Sequence, residues 1–449
     1  MKKIYSILMI SAIVSCTSNN QTDKIKLMTL DPGHFHASLI QKTSYENIDL
    51  TVDVYAPEGS EVNSFLNSID AYNNREENPT NWKINSHLGN NYLEKMIAEK
   101  PGNVMVVSGK NSKKIDYILS AVKAGINVYA DKPLVTDPEG LKKLMQVFDI
   151  AEKNNVLVYD IMTERFEVTT AIQKALSMSQ SIFGELLDGT LENPAISKES
   201  VHHLFKYVSG KPLVRPAWFL DTKQQGEGII DVTTHLVDLV QWEAFPNQII
   251  QSSDVNMLSA KRWATILSKD QFKKITGLDS YPDYLQKDLK ENYLHAYCNG
   301  EMNYKIKGKH AKVSVIWNYE APEGTGDTHQ STMRGTKSDL IINQGVEENF
   351  KPTLYVKSKN NENFESDLSV TISKLQNEFP GISSKKINSS LWEILIPEIL
   401  KIGHEAHFGQ VTNNFLKYFE EGRLPDWEIP NMKTKYYTTI EAYKLATQN

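Results

Sequence analysis

"IKLMTLDPGHFHASLIQ", residues Ile25 to Gln41, reads as a short apolar strand, a turn, and the start of a helix. A strand-length apolar run handed directly to an amphipathic segment is the opening unit of a parallel α/β sheet. The rhythm recurs in "LTVDVYA" (50–56), "NVMVVSG" (103–109), "INVYADKP" (126–133) and "NVLVYDIM" (155–162). Between them lie helix-length segments, "SKKIDYILSAVKAG" closed by Gly125 and "DPEGLKKLMQVFDIAEKN" opened by Asp137-Pro138, with the preferred stop and start residues. Residues 25–165 are therefore expected to form a doubly wound α/β domain that takes ligands beyond the carboxyl ends of its strands. "SIDAYNNREENPTNWK" (68–83) breaks the rhythm and is expected to be a surface excursion.

From residue 166 to 449 the pattern changes. Helical "GIIDVTTHLVDLVQW" is followed by strand-like "LHAYCNGEMNYKIKG", "HAKVSVIWNYE" and "SDLIINQG", with Asn299-Gly300 read as a hairpin turn. This predicts an α+β domain with a mainly antiparallel sheet, covered by helices from about Ile396 to Glu421 and over "TKYYTTIEAYKLA". A chain of 449 residues with 40% hydrophobic content suits two domains. A net charge of −6 and no basic block give no footprint for nucleic acid. "KSKNNENFESD" (357–367) reads as a solvated loop.

Residues 1–16, "MKKIYSILMISAIVSC", pair two lysines with an apolar run too short to span a bilayer, and read as an export signal. The run ends like a bacterial lipobox, which makes Cys16 the expected lipidation site, residues 17–24 a linker, and the mature chain a lipoprotein on the periplasmic face of a membrane. Only Cys298 would remain, so no intramolecular disulfide is possible.

Three clusters carry chemistry. Asp131-Lys132-Pro133 sits at a strand exit, where an ammonium can stabilise a developing alkoxide; alone, Lys132 equally suits a solvated loop. Asp231 and His235 are four apart in "QGEGIIDVTTHLVD", where a carboxylate can orient an imidazole that takes a proton from an alcohol, though with Thr234 and Asp238 they also describe a solvent stripe. The turn itself, laid on a three-glycine dinucleotide fingerprint, keeps Gly33 at the middle place with Asp31 and His36 at the outer two. An Asp31 carboxylate would repel a pyrophosphate unless it turns away. His34 with His36, His202 with His203, and His404 with His407 raise the question of a metal, but lack helical ligand spacing, and no metal is expected.

The strand-exit "DKP" followed by a tryptophan, an aspartate and "QGEGIIDVTTHLVDLVQW" resembles the glucose–fructose oxidoreductase, inositol dehydrogenase and rhizopine-catabolism (Gfo/Idh/MocA) family over almost the whole mature chain. "MRGTKSDLIINQG" (333–345) is similar to that family's sheet-domain strand, and "APEGTGDTH" with "GHEAHF" and "NFLKYF" to a branch of Bacteroidetes lipoproteins. The resemblance implies an amino-terminal NAD-binding Rossmann domain, a catalytic lysine at Lys132, with Asp131 in place of the family's glutamate, and an Asp-His pair at Asp231 and His235. Cofactor contacts then fall on Gly33, His34, Phe35, His36, Ser108 and Lys132, with Glu58 taken as the ribose-binding acid over Asp53, which points the wrong way if the strand alternates; NADP stays open. Arg165, His202, His203, Trp218, Asp221 and His329 are the candidate wall of a sugar site. The expected activity is NAD-dependent oxidation of a ring hydroxyl of a sugar or glycoside, plausibly to a 3-keto sugar, with a tightly bound and internally recycled cofactor. A redox-neutral, NAD-dependent glycosidase and a cofactor-free sugar-binding lipoprotein are the alternatives, and a homo-oligomer is open.

Overall fold

The computed structural model describes residues 24–208, 211–359 and 362–448. The export signal, Cys16 and the linker as far as Asp23 lie outside the described residues. The first sheet is parallel throughout, in the order β3-β2-β1-β4-β5-β6: β1 (Leu27–Leu30), β2 (Thr51–Ala56), β3 (Lys83–Leu88), β4 (Val104–Val107), β5 (Asn127–Asp131) and β6 (Val158–Ile161). Order reverses between β1 and β4, so the crevice beyond their carboxyl ends is the place for a ligand. Five strands coincide with the apolar runs because helices cover both faces. β3 does not: "KINSHL" is a mostly exposed edge strand. The expected surface excursion is also corrected. As far as Asn74 it belongs to a crossover helix, Ser60–Asn74, which docks through Val62, Phe65 and Ile69 on one helical face.

Among the described residues the second sheet has ten strands. Its middle is β7 (Ile196–Phe205), parallel to Lys309–Glu320 and antiparallel to Thr328–Arg334; the other pairings are antiparallel. Asn299-Gly300 is not a hairpin turn but lies inside the strand Tyr293–Ile306. Gly300 is there for closeness: a Cβ would lie 2.5 Å from that of Ile229. The Asn299 side chain fills an irregularity in the neighbouring strand, donating to the Trp263 carbonyl and accepting from the Trp317 N–H at 2.7 Å. The hairpin turns at Lys307-Gly308, whose φ values of 47° and 80° are both left-handed. "KSKNNENFESD" is likewise not one loop, since a strand runs to Ser358 and a helix starts at Phe364.

The last two helices return to the first domain. His404–Glu421 lays Phe415 on Tyr129, ring centroids 4.6 Å apart. Burial of one such ring stabilises by roughly 1.5–3 kcal/mol. Glu428–Gln448 carries Lys435, which pairs with both Asp160 and Asp238 at 2.8 Å. Arg165 completes this buried network, 2.7 Å from Asp238 and 2.8 Å from Glu428. Arg165 is therefore a tie between domains and not a wall of a sugar site, a correction that follows from its two carboxylate partners.

Candidate active site

β5 ends at Asp131, so Lys132 emerges at the carboxyl edge of the sheet. Its Nζ lies 2.9 Å from Asp231 Oδ1, and Asp231 Oδ2 accepts from Gln225 Nε2 at 2.9 Å. The Gln225 carbonyl accepts from Asn111, whose side-chain oxygen accepts from Lys114. Lys114 also donates to the carbonyls of Asp131 and Pro133, and burial pushes its ammonium down to about 8. A buried lysine thus clamps the strand exit that presents Lys132.

Asp231 occupies the turn before the helix Thr233–Ala244 rather than the helix itself, and His235 enters one turn later. Lys132, Asp231 and His235 are 9%, 6% and 8% exposed. The solvent-stripe alternative is thereby excluded, because Thr234 and Asp238 are buried as well. His235 Nδ1 has no hydrogen-bond partner. Burial, and then the Lys132 charge, push its imidazole down to about 3, so it stands neutral.

In the opening turn, Asp31 adopts φ 46° and its carboxylate accepts from Tyr117 Oη at 2.7 Å, with Lys113 Nζ at 3.8 Å. It has turned away from the ligand side. Gly33 has no strained φ, and a Cβ there would meet Gly109 Cα at 3.5 Å and Trp218 Cζ2 at 3.8 Å, both ordinary contacts. Nothing in the polypeptide requires glycine at 33, whereas a nucleotide lying on the backbone does. The loop therefore fits a dinucleotide. Glu58 stands two residues past β2, exposed, where a ribose-binding acid belongs. Asp53 instead bonds His87 at 2.9 Å. Ser108 is buried and donates to Asp131 Oδ2 at 2.9 Å, so it supports the site from behind.

A cavity of about 800 Å³ joins these groups. His34, Phe35, His36, Lys132, Asp231, His235, His202 and His329 all line it. Besides Arg165, three expected wall residues do not. His203 is buried against Asp327; Asp221 caps the helix Thr222–Gln225 and pairs with Lys287; Trp218 packs on the Gly33 loop. Each side chain is satisfied or screened by its own neighbours before it reaches the cavity.

Sequence reading named His202 but missed the rest of the wall that β7 supplies. Lys198, Ser200 and His202 alternate along it and face the cavity. That period of two was the available signal. His202 stacks on Trp317 at 4.7 Å and bonds Asp327 at 3.0 Å. Burial raises the Asp327 carboxyl, but His202, His203 and Lys206 together hold it well below the usual range. Arg215, also missed, lies 4.6 Å over Phe219 and gives hydrogen bonds to the Leu204 and His203 carbonyls. Glu164 and His404 both line the cavity and approach to 3.6 Å. Such hydrogen-bonding groups around flat aromatic faces can hold a polyhydroxylated ring.

Residues 33–160 match a family described as "Oxidoreductase family, NAD-binding Rossmann fold", and residues 172–447 one described as "Putative oxidoreductase C terminal domain". A crystal structure of a "putative oxidoreductase" from Parabacteroides merdae is 52% identical, with a TM-score of 0.92 over 95% of this chain and 98% of that one. Levoglucosan dehydrogenase in complex with NADH and levoglucosan is 12% identical, with a TM-score of 0.60 over 94% and 97% of the two chains. A 3-ketoreductase from Actinomadura kijaniata with NADP and TDP-benzene is 10% identical, with a TM-score of 0.56 over 93% and 97%. These last two likenesses concern the fold alone. A search of curated proteins finds no match.

Proposed function

The chain belongs to the Gfo/Idh/MocA family of NAD-binding oxidoreductases, and from that premise we propose that it oxidises a ring hydroxyl of a sugar or glycoside. The observation that carries the reading is the convergence of Lys132, Asp231 and His235, from two domains, on one cavity bounded by the Gly33 loop. NAD, when bound, supplies the acceptor for the hydride. Neutral His235 takes the hydroxyl proton. Lys132, held by Asp231, donates to the same oxygen and stabilises its growing negative charge. Asp231 is in turn fixed by Gln225, which keeps the ammonium aimed at the cavity.

Support for a sugar comes from the wall of Trp317, His202, Ser200 and Asp327, and from the ligand of the levoglucosan dehydrogenase that shares the fold. An exported, lipid-anchored chain is proposed from the sequence of residues 1–16 alone, with Cys16 as the anchor and a cofactor retained and recycled in place.

Denaturing the purified protein and chromatographing the supernatant tests nucleotide retention; incubation with NAD and a panel of aryl glycosides tests turnover. The expected result is bound dinucleotide and accumulation of a keto-glycoside. Free sugar without net reduction would replace oxidation by redox-neutral cleavage. Absence of both nucleotide and turnover would overturn the enzyme reading.

A further inference from the structure

The turn that replaces two glycines of the dinucleotide fingerprint brings two imidazoles onto a carboxylate 95 residues away. His36 Nδ1 lies 3.0 Å from Asp131 Oδ2, and His34 Nδ1 lies 3.7 Å from the same oxygen. The three atoms are all within 4.8 Å of one another. Weighing the histidines only in pairs hid this arrangement, because the third donor ends β5.

A hydrogen-bonded pair explains His36 but not His34. At 3.7 Å the His34 nitrogen is beyond hydrogen-bond reach of the carboxylate. It accepts instead from the His36 backbone N–H at 3.4 Å, so Nδ1 carries no proton and is a donor atom of the kind a metal takes. Ser108 already donates to Asp131 Oδ2, the kind of second partner that orients a ligating carboxylate.

We propose that His34, His36 and Asp131 form a binding site for a divalent transition ion of the zinc type. Two imidazoles and one carboxylate are the donors such an ion prefers, and three protein ligands leave a coordination position open. All three residues line the cavity, so that position faces it and takes an oxygen donor from water or from a bound ligand. The site rests on its own side chains and stands or falls separately from the redox reading.

The test uses untagged protein, exposed to Zn²⁺ or Co²⁺, desalted, and analysed for metal by mass spectrometry. One ion per chain is expected, falling at least tenfold in H36A and in D131N, the latter being nearly isosteric. Uptake below a tenth of an equivalent in the wild type, or undiminished uptake in both folded variants, overturns the site. Should either variant fail to fold, zinc K-edge absorption of the wild type decides: two imidazole ligands with oxygen support it, and fewer than two overturn it. Turnover plays no part in any of these readouts.

Discussion

The helix Thr233–Ala244 carries two buried polar clusters of opposite character. One turn apart, His235 faces the cavity and Asp238 faces the domain junction. Around Asp238 each carboxylate meets a cation: Arg165 and Lys435 meet Asp238, Glu428 and Asp160, and Tyr436 donates to Asp160 at 2.7 Å, with Asp160 Oδ1 alone left without a partner. Around His235 the accounts stay open, with Nδ1 unpartnered and Lys132 presented to a cavity. Both clusters carry the desolvation cost of buried polar groups, yet only the first recovers it within the protein. The second is arranged for something that arrives.

The sharpest way to break this contrast is Arg165→Ala. It strips Asp238 and Glu428 of their shared partner, and removing one member of a buried pair costs about 3–5 kcal/mol. Urea denaturation should read that loss. A change under about 1 kcal/mol would mean the network does not hold the domains together. Next, Lys132→Met should lower turnover by about 10²–10³-fold. Its stability loss should be smaller than that of Arg165→Ala, since Asp231 keeps Gln225 and opens toward water. Undiminished turnover would move the catalytic centre elsewhere.

The two clusters were also unequally legible in the sequence. Lys132, Asp231 and His235 stood in short motifs at a strand exit and before a helix, where position alone suggested chemistry. The network partners of Asp238 are Arg165, Glu428 and Lys435, scattered over some 270 residues with no local pattern, so Arg165 was read as a sugar contact. Strands buried on both faces announced themselves by apolar composition. β3 and β7 did not, the one because its edge is solvated and the other because its polar side chains line the cavity. Asn299-Gly300 misled for a related reason: its glycine answers to Ile229, a neighbour that sequence cannot place.

Acid should separate the clusters again. His235 is held down to about 3, chiefly by burial. Free histidines in the unfolded chain titrate near 6.5. Between those values the unfolded chain binds more protons, so stability is fully present above about pH 6.5 and is lost as pH falls toward 3. A series of denaturation curves should show this slope, and His235→Asn should flatten it. An unchanged slope in that variant would show that the neutral imidazole is not what acid attacks.

The smallest effect is expected at Asp31, and it tests whether the open side of the contrast extends to the cofactor turn. Its carboxylate occupies the place of a glycine but answers Tyr117 and Lys113, away from the cavity. Asparagine tolerates the left-handed conformation and can still accept from Tyr117, at the loss of a charge-assisted bond. Asp31→Asn should therefore cost no more than about 1.5 kcal/mol of stability. Nucleotide affinity, read by titration calorimetry, should shift by less than about threefold, because a carboxylate already paired on the far side exerts little repulsion on a pyrophosphate. A tenfold gain in affinity would show the opposite: that the charge is felt across the loop, and that this chain holds its dinucleotide against its own sequence.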